Sequence, residues 1–137
     1  MKFSAIEKIA KFASVFSESN KIKLLLDFTT NGTLLTSEKI SQLSNYACSF
    51  QITLDGNKEQ HNKVKYTKSR SLDTFSLTVK NIKEIQRIIA NSFVSVRINY
   101  DGETLKNFNS VLEELAQLDR TRCKIILKKI WQVSTDE

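Results

Sequence analysis

Residues 48–55, CSFQITLD, alternate without a break. Cys48, Phe50, Ile52 and Leu54 fall on one side of an extended chain, and Ser49, Gln51, Thr53 and Asp55 on the other. Successive strand side chains point to opposite faces, so this period of two marks a half-buried strand. Two further segments share it. In KIKLLLDFTTNG (21–32), Leu24, Leu26 and Phe28 oppose Asp27, Thr29 and Asn31, and Asn31-Gly32 stops the strand. In FVSVRINYD (93–101), Val94, Val96 and Ile98 oppose Ser95, Arg97 and Asn99. RCKIILKKIWQV (122–133) reads as a fourth strand.

Helical periodicity fills the intervals. A first helix is predicted from Phe3 to Phe16, with Ile6, Ile9, Ala13 and Phe16 on one stripe. A second starts near Thr36, an N-cap whose neighbours Leu35 and Ile40 occupy the positions of a hydrophobic staple; its stripe is Ile40, Leu43 and Ala47. A third runs from Thr74 to Ala90 on Phe75, Val79, Ile82, Ile85 and Ile89. A fourth runs from Glu103 to Leu118 on Leu105, Phe108, Leu112 and Leu115. Residues 57–72 are polar and aperiodic and read as a long loop.

Alternating helices and strands argue for a parallel sheet with crossover helices. A sheet covered on both faces would show near-continuous apolar strands. These strands have one polar face, so helices are expected on one face only. The expected fold is therefore α/β, a partial (β/α) barrel of about four parallel strands, with residues 1–137 as a single domain. A polar face can also meet solvent or another subunit, but hydroxyls and amides mixed with Asp55 and Arg97 suit a ligand. Barrel ligands bind at the carboxyl ends of the strands. The residues there are Thr29, Asn31, Thr53, Asp55, Arg97 and Asn99.

Composition narrows the function. The 137 residues are 40% hydrophobic and 26% charged, which is ordinary globular usage and no disordered tail. No apolar run approaches the ~20 residues of a membrane span. The charged, interrupted start MKFSAIEKIAKFASVF does not read as a secretory signal, so a cytoplasmic location is expected. Two cysteines, Cys48 and Cys123, make neither a metal site nor a disulfide framework, and a single His61 weighs against a catalytic triad. The +6 charge is mild. Lys58, Lys63, Lys65, Lys68 and Arg70, with Tyr66 among them, form a basic stretch that could meet phosphates. A solvated loop is its plainer reading, and nucleic acid is not the expected partner.

Four segments carry a family resemblance. TTNGTLLTSEKI (29–40) resembles the TNG-x-LL-T stretch after a middle strand of radical S-adenosylmethionine (SAM) enzymes. FQITLDGNKEQHN (50–62) resembles their ISLDG-x-x-x-x-HD stretch. TFSLTVKNIKEI (74–85) looks like their SF-x-x-x-x-x-NI helix opening, and VSVRINYDGETLKNF (94–108) like their VRIN strand and next helix. The resemblance covers residues 21–132 and is nearest to the Fe–S oxidoreductases that modify peptides and proteins, including anaerobic sulfatase-maturating enzymes. It implies SAM as cofactor and a peptide or protein substrate. By the same resemblance Thr29 and Asn31 would lie near the ribose or methionyl group. Thr53 stands where Ser is usual, Asp55 matches the Asp of LDG, and Arg97 and Asn99 match the basic and amide positions of the later strand. A cation there suits the methionyl carboxylate, through charge-assisted hydrogen bonds.

The departures are as informative. The CxxxCxxC loop whose thiolates hold a 4Fe–4S cluster is absent from these 137 residues, and so is the GGEP stretch. Cys48 and Cys123 fall on apolar faces, where a buried hydrophobe is the expected role. Lys65 stands where Arg is common, and Ser71 and Asp73 where two glycines are frequent. His61 follows the pattern and is read as a structural hydrogen-bonding residue. The chain is thus expected to be the C-terminal half of a radical SAM barrel, with no cluster ligands of its own. Alone it is expected to be inactive, and to self-associate across its first strand because an unpaired edge invites pairing. The competing expectation is a non-catalytic binding or assembly module that uses the polar face or the basic stretch.

Overall fold

The computed structural model describes residues 3–65 and 72–130. In chain order the elements are α1 (Phe3–Ser19), β1 (Leu26–Thr30), α2 (Ser37–Gln42), β2 (Cys48–Asp55), α3 (Lys58–Val64), α4 (Thr74–Ile88), β3 (Ser92–Tyr100), α5 (Gly102–Lys106), α6 (Phe108–Leu115) and β4 (Cys123–Lys129). The strands form one sheet in the order β1-β2-β3-β4, every pair parallel. This is the expected α/β architecture.

The apolar strand faces build the core. Phe50, Ile52, Leu54, Val94, Val96 and Ile98 are fully buried, and Phe28 stacks on Phe50 with ring centroids 5.0 Å apart. The α4 residues Phe75, Val79, Ile82 and Ile85 join the same cluster, with Ile89 just beyond and Leu35, Ile40 and Leu43 from the α2 region. The staple forms as expected: Thr36 Oγ1 accepts from Lys39 N, and Leu35 and Ile40 are both buried. Gln86 and Arg122 lock α4 to the turn before β4. Arg122 donates to the carbonyls of Gln86, Ile89 and Ala90, and so caps the α4 C-terminus, where a cation is favoured.

Several sequence expectations are corrected. Residues 58–64 are helical, not a loop: Asn57 and Gln60 form a capping box, and the helix buries His61. In α1 the buried residues are Phe3, Ala10 and Ser17, with Ile6 partly covered, while Ile9 and Phe16 of the expected stripe are exposed. The expected fourth helix is two, broken at Asn107, because Asp101 caps a short α5 and Asn favours turns over helix interiors. Its inward residues are Thr104, Val111 and Leu115; Leu105 and Leu112 are exposed. The second helix closes at Gln42, so Ala47 is not on it. The first strand is shorter than 21–32, beginning at Leu26. The expected strand positions 131–133, and Tyr66, Lys68, Arg70 and Ser71, lie outside the described residues.

Candidate functional site

Parallel pairing delivers the polar residues in rows. Thr53 is the register partner of Arg97, and Asp55 that of Asn99. At the carboxyl ends of β2 and β3 a continuous hydrogen-bonded run results. Arg97 Nε donates to Asn99 Oδ1 at 3.2 Å, and Asn99 Nδ2 donates to Asp55 Oδ1 at 2.7 Å. The other oxygen, Asp55 Oδ2, lies 3.1 Å from Lys65 Nζ, an ion pair out of line for a hydrogen bond. The Asp55 side chain is only 10% exposed. A guanidinium, a carboxamide, a carboxylate and an ammonium therefore share one end of the sheet.

Of the six expected site residues, three are brought into contact: Asp55, Arg97 and Asn99. Thr53 lies beside Arg97 in register, half-buried. Thr29 is exposed and pairs with Gln51 on the same face. Asn31 is apart from the run, its Oδ1 accepting from Thr33 N and Thr33 Oγ1. Its loop is held by α4: Thr78 Oγ1 donates to Asn31 O at 3.2 Å and Asn81 Nδ2 to Gly32 O at 2.8 Å. Gly32 takes φ +78°, and a Cβ there would press on Ile52 and Thr78, so the turn needs glycine.

Two contributors to this end were missed as site residues. His61 is almost fully buried, and its Nδ1 accepts from Asp55 N at 3.1 Å, which fixes the last residue of β2. Burial pushes its pKa down; Asp55 and Asp73 pull it up and Lys65 down again. The accepting Nδ1 requires the neutral ring with the proton on Nε2, an atom with no partner among the described residues. The expected structural hydrogen bond of His61 is thus found, from a helix in place of a loop. Lys65 follows one turn later, its amide bonded to His61 O. The Asn57-x-x-Gln60 capping pattern was the available signal for both.

Asp73 anchors the far end of α3. It accepts from Ser76 N as the α4 N-cap and from Asn62 Nδ2, and it pairs with Lys58 Nζ at 2.6 Å. Burial works against its charge, but Lys58, Asn62 and Ser76 hold its carboxyl well below the usual range.

The donor set fits one implied group and not the other. Arg97 suits a ligand carboxylate, and the Asp55 carboxylate with the strand-end amide and hydroxyls suits an ammonium and hydroxyl groups, all of which SAM carries. An iron–sulfur cluster does not fit: Cys48 is buried, its thiol pushed up to about 11 by desolvation, and Sγ donates weakly to Leu43 O. The Cys123 thiol is also raised, by burial and by Asp119. Both are thus biased toward the protonated form, whereas cluster ligands are thiolates. Among the described residues no group of three His, Cys, Asp or Glu could hold a metal ion. Among them, too, no helix is long and apolar enough to cross a membrane.

No protein-family model matches the chain, and no curated protein matches it. Solved structures do. The anaerobic sulfatase-maturating enzyme anSMEcpe, a radical SAM enzyme, superposes in its hexahistidine-tagged form with bound AdoMet at a TM-score of 0.68 and 22% identity over 90% of this chain. Native anSMEcpe with AdoMet and the Cp18Cys peptide gives a TM-score of 0.67 at 22% identity, again over 90% of this chain. Native anSMEcpe with AdoMet gives 0.65 at 21% identity over 89%. The chain spans about a third of the length of these proteins, 32% and 33%. The fold of the chain is that of a portion of the radical SAM barrel.

Proposed function

We propose that this chain is the SAM-binding portion of a radical SAM Fe–S oxidoreductase that modifies a peptide or protein, as a sulfatase maturase does. The supporting observation is the Arg97–Asn99–Asp55 run at the carboxyl ends of β2 and β3, in a fold shared with AdoMet-bound enzymes. Arg97 and Asn99 would hold the methionyl carboxylate, which a cation and an amide donor stabilise. Asp55 would accept from a ligand hydroxyl or ammonium, with Thr53 beside Arg97. Thr29 and Asn31 would meet the ribose or methionyl group from β1. SAM supplies enzymes of this kind with a hydrogen-abstracting radical when a reduced iron–sulfur cluster cleaves it. The ligands of that cluster are not in this chain, so the isolated chain is inactive in this reading. Its open β1 edge makes it self-associate. A cytoplasmic setting belongs to the same reading.

Isothermal titration of SAM into the full chain tests this. Binding should be measurable, and Arg97→Ala should weaken it by at least tenfold without changing the melting temperature. A flat titration at millimolar SAM, or equal affinity in the variant, would overturn the assignment. SAM cleavage by the reconstituted chain with dithionite would overturn the inactivity.

The competing nucleic-acid module draws less support. Lys58, Lys63 and Lys65 of the basic stretch are engaged with Asp73, Glu59 and Asp55.

A further inference from the structure

The two edges of the sheet are unfinished in opposite ways among the described residues. The helix that leads into β1, the strand at one edge, has a surplus apolar face. Successive helical residues turn by about 100°, so Ile9, Phe12 and Phe16 of α1 project within about 60° of one another, next to the face that Phe3, Ile6 and Ala10 turn to the core. Phe12 is 74% exposed and Ile9 66%. At the β4 edge there is a surplus sheet face. Ile125 and Leu127 share the register rows of the buried Val96 and Ile98, yet Leu127 is 49% exposed. Beside them an apolar groove of about 380 Å³ runs between α6 and β4, lined by Leu112, Leu115, Leu118, Cys123 and Ile125. Among the described residues, the helix leading into one edge strand has apolar surface to spare, and the other edge strand has apolar side chains left partly uncovered.

The polar faces are complementary too. β1 presents Asp27, which has no ion pair among the described residues. β4 presents Lys124 and Lys128 on that side, in the rows of Ser95 and Asn99.

We propose that two copies of this chain close head to tail into an eight-stranded barrel, β1 of each pairing in parallel with β4 of the other. The inference rests on the self-association proposed above and fixes which edges meet. The α1 face of one copy covers Ile125 and Leu127 of its partner. Asp27 of one copy comes to the side of the sheet that carries Lys124 and Lys128 of the other. A two-fold axis along the barrel makes the two seams identical, and closure removes both open edges. Neither seam requires SAM.

Sedimentation equilibrium on the full chain without SAM, from 1 to 200 µM as a practical range on the order of typical dimer constants, should give a dimer of twice the 15.7 kDa chain mass. Phe12→Glu on α1 and Leu127→Glu on β4 lie at exposed positions, so each should keep the wild-type circular dichroism spectrum. Each spoils both seams and should weaken the dimer at least tenfold. An equimolar mixture of the two variants has one seam doubly altered and one seam wild type, so mixing should restore association. A monomer at every concentration would overturn both self-association and this geometry. A dimer indifferent to Leu127→Glu, or unrestored on mixing, would overturn the geometry alone and point to β1 pairing with β1.

Discussion

His61 should make the fold lose stability in mild acid. The ring is 1% exposed, and Nδ1 accepts from Asp55 N at 3.1 Å. A second ring proton would set two donors face to face there. Burial also disfavours the cation; Asp55 and Asp73 favour it, Lys65 opposes it, and the net direction is downward. The unfolded histidine takes up a proton near pH 6.5, whereas the folded one is held below that. Below about pH 6.5 the unfolded state therefore binds more protons, and stability falls as pH falls, until the folded ring titrates as well. For one proton the slope approaches about 1.4 kcal/mol per pH unit. Urea unfolding at pH 7.5, 6.5, 5.5 and 5.0 measures it. His61→Asn keeps an acceptor near Nδ1 without the titration and should flatten the profile. His61→Leu should flatten it too, and should cost about 1–3 kcal/mol at pH 7.5 by leaving the Asp55 amide unpaired. Equal slopes in wild type and His61→Asn would refute the reasoning.

Three other substitutions probe the frame and the site. Phe50→Ala empties a fully buried position stacked on Phe28 and should cost about 3–5 kcal/mol by urea unfolding. Asp73→Ala removes the α4 N-cap and should cost about 1 kcal/mol at neutral pH. The Asp73 carboxyl is held low, so its contribution is present above the usual carboxylate range and lost as pH falls through the folded value; the penalty should shrink in acid. Asn99→Leu removes the amide that joins Arg97 to Asp55 and, with charged-group hydrogen bonds worth about 1.5–3 kcal/mol, should weaken SAM at least tenfold in calorimetry.

The strands were legible because a period of two states both the element and its faces. Phe50, Ile52 and Leu54 go inward and Thr53 and Asp55 outward, as the alternation requires. The third predicted helix was legible because Phe75, Val79, Ile82 and Ile85 form a stripe set against Lys80, Lys83, Glu84 and Arg87. The first helix was legible as a helix, but its inward face was not. Its apolar residues extend more than half way round, and periodicity cannot say which part meets the sheet, so Ile9 and Phe16 pass for core residues in the sequence. The helix at 58–64 was hidden for the opposite reason: its one buried side chain is a histidine, so no apolar stripe announces it. The fourth helix failed because local capping by Asp101 turned Thr104 inward in place of Leu105. At the site, the strand-end residues followed from face and register. Lys65 did not, because its approach to Asp55 depends on α3.

The helix that sequence patterning hid is the one that ties the site to the fold. Asn62 of α3 accepts from Thr74 Oγ1 and Phe75 N, and donates to Asp73, so α3 is bolted to the start of α4. One residue earlier His61 holds the end of β2, and four residues later the Lys65 amide closes on His61 O. The charge facing Asp55 is therefore set by helix docking as well as by strand register. Gly56 is the pivot: it takes φ +74°, and a Cβ there would collide with Gln60 of the capping box. A larger residue at 56 would be strained at this φ and would push the Gln60 carboxamide off the Asn57 amide, opening the cap of the helix that carries the acceptor for Asp55 N and the ammonium beside its carboxylate. The Asp55–Gly56 pair thus links a backbone requirement to the electrostatics of the sheet end, which is a physical reason for a glycine to follow the strand-end aspartate.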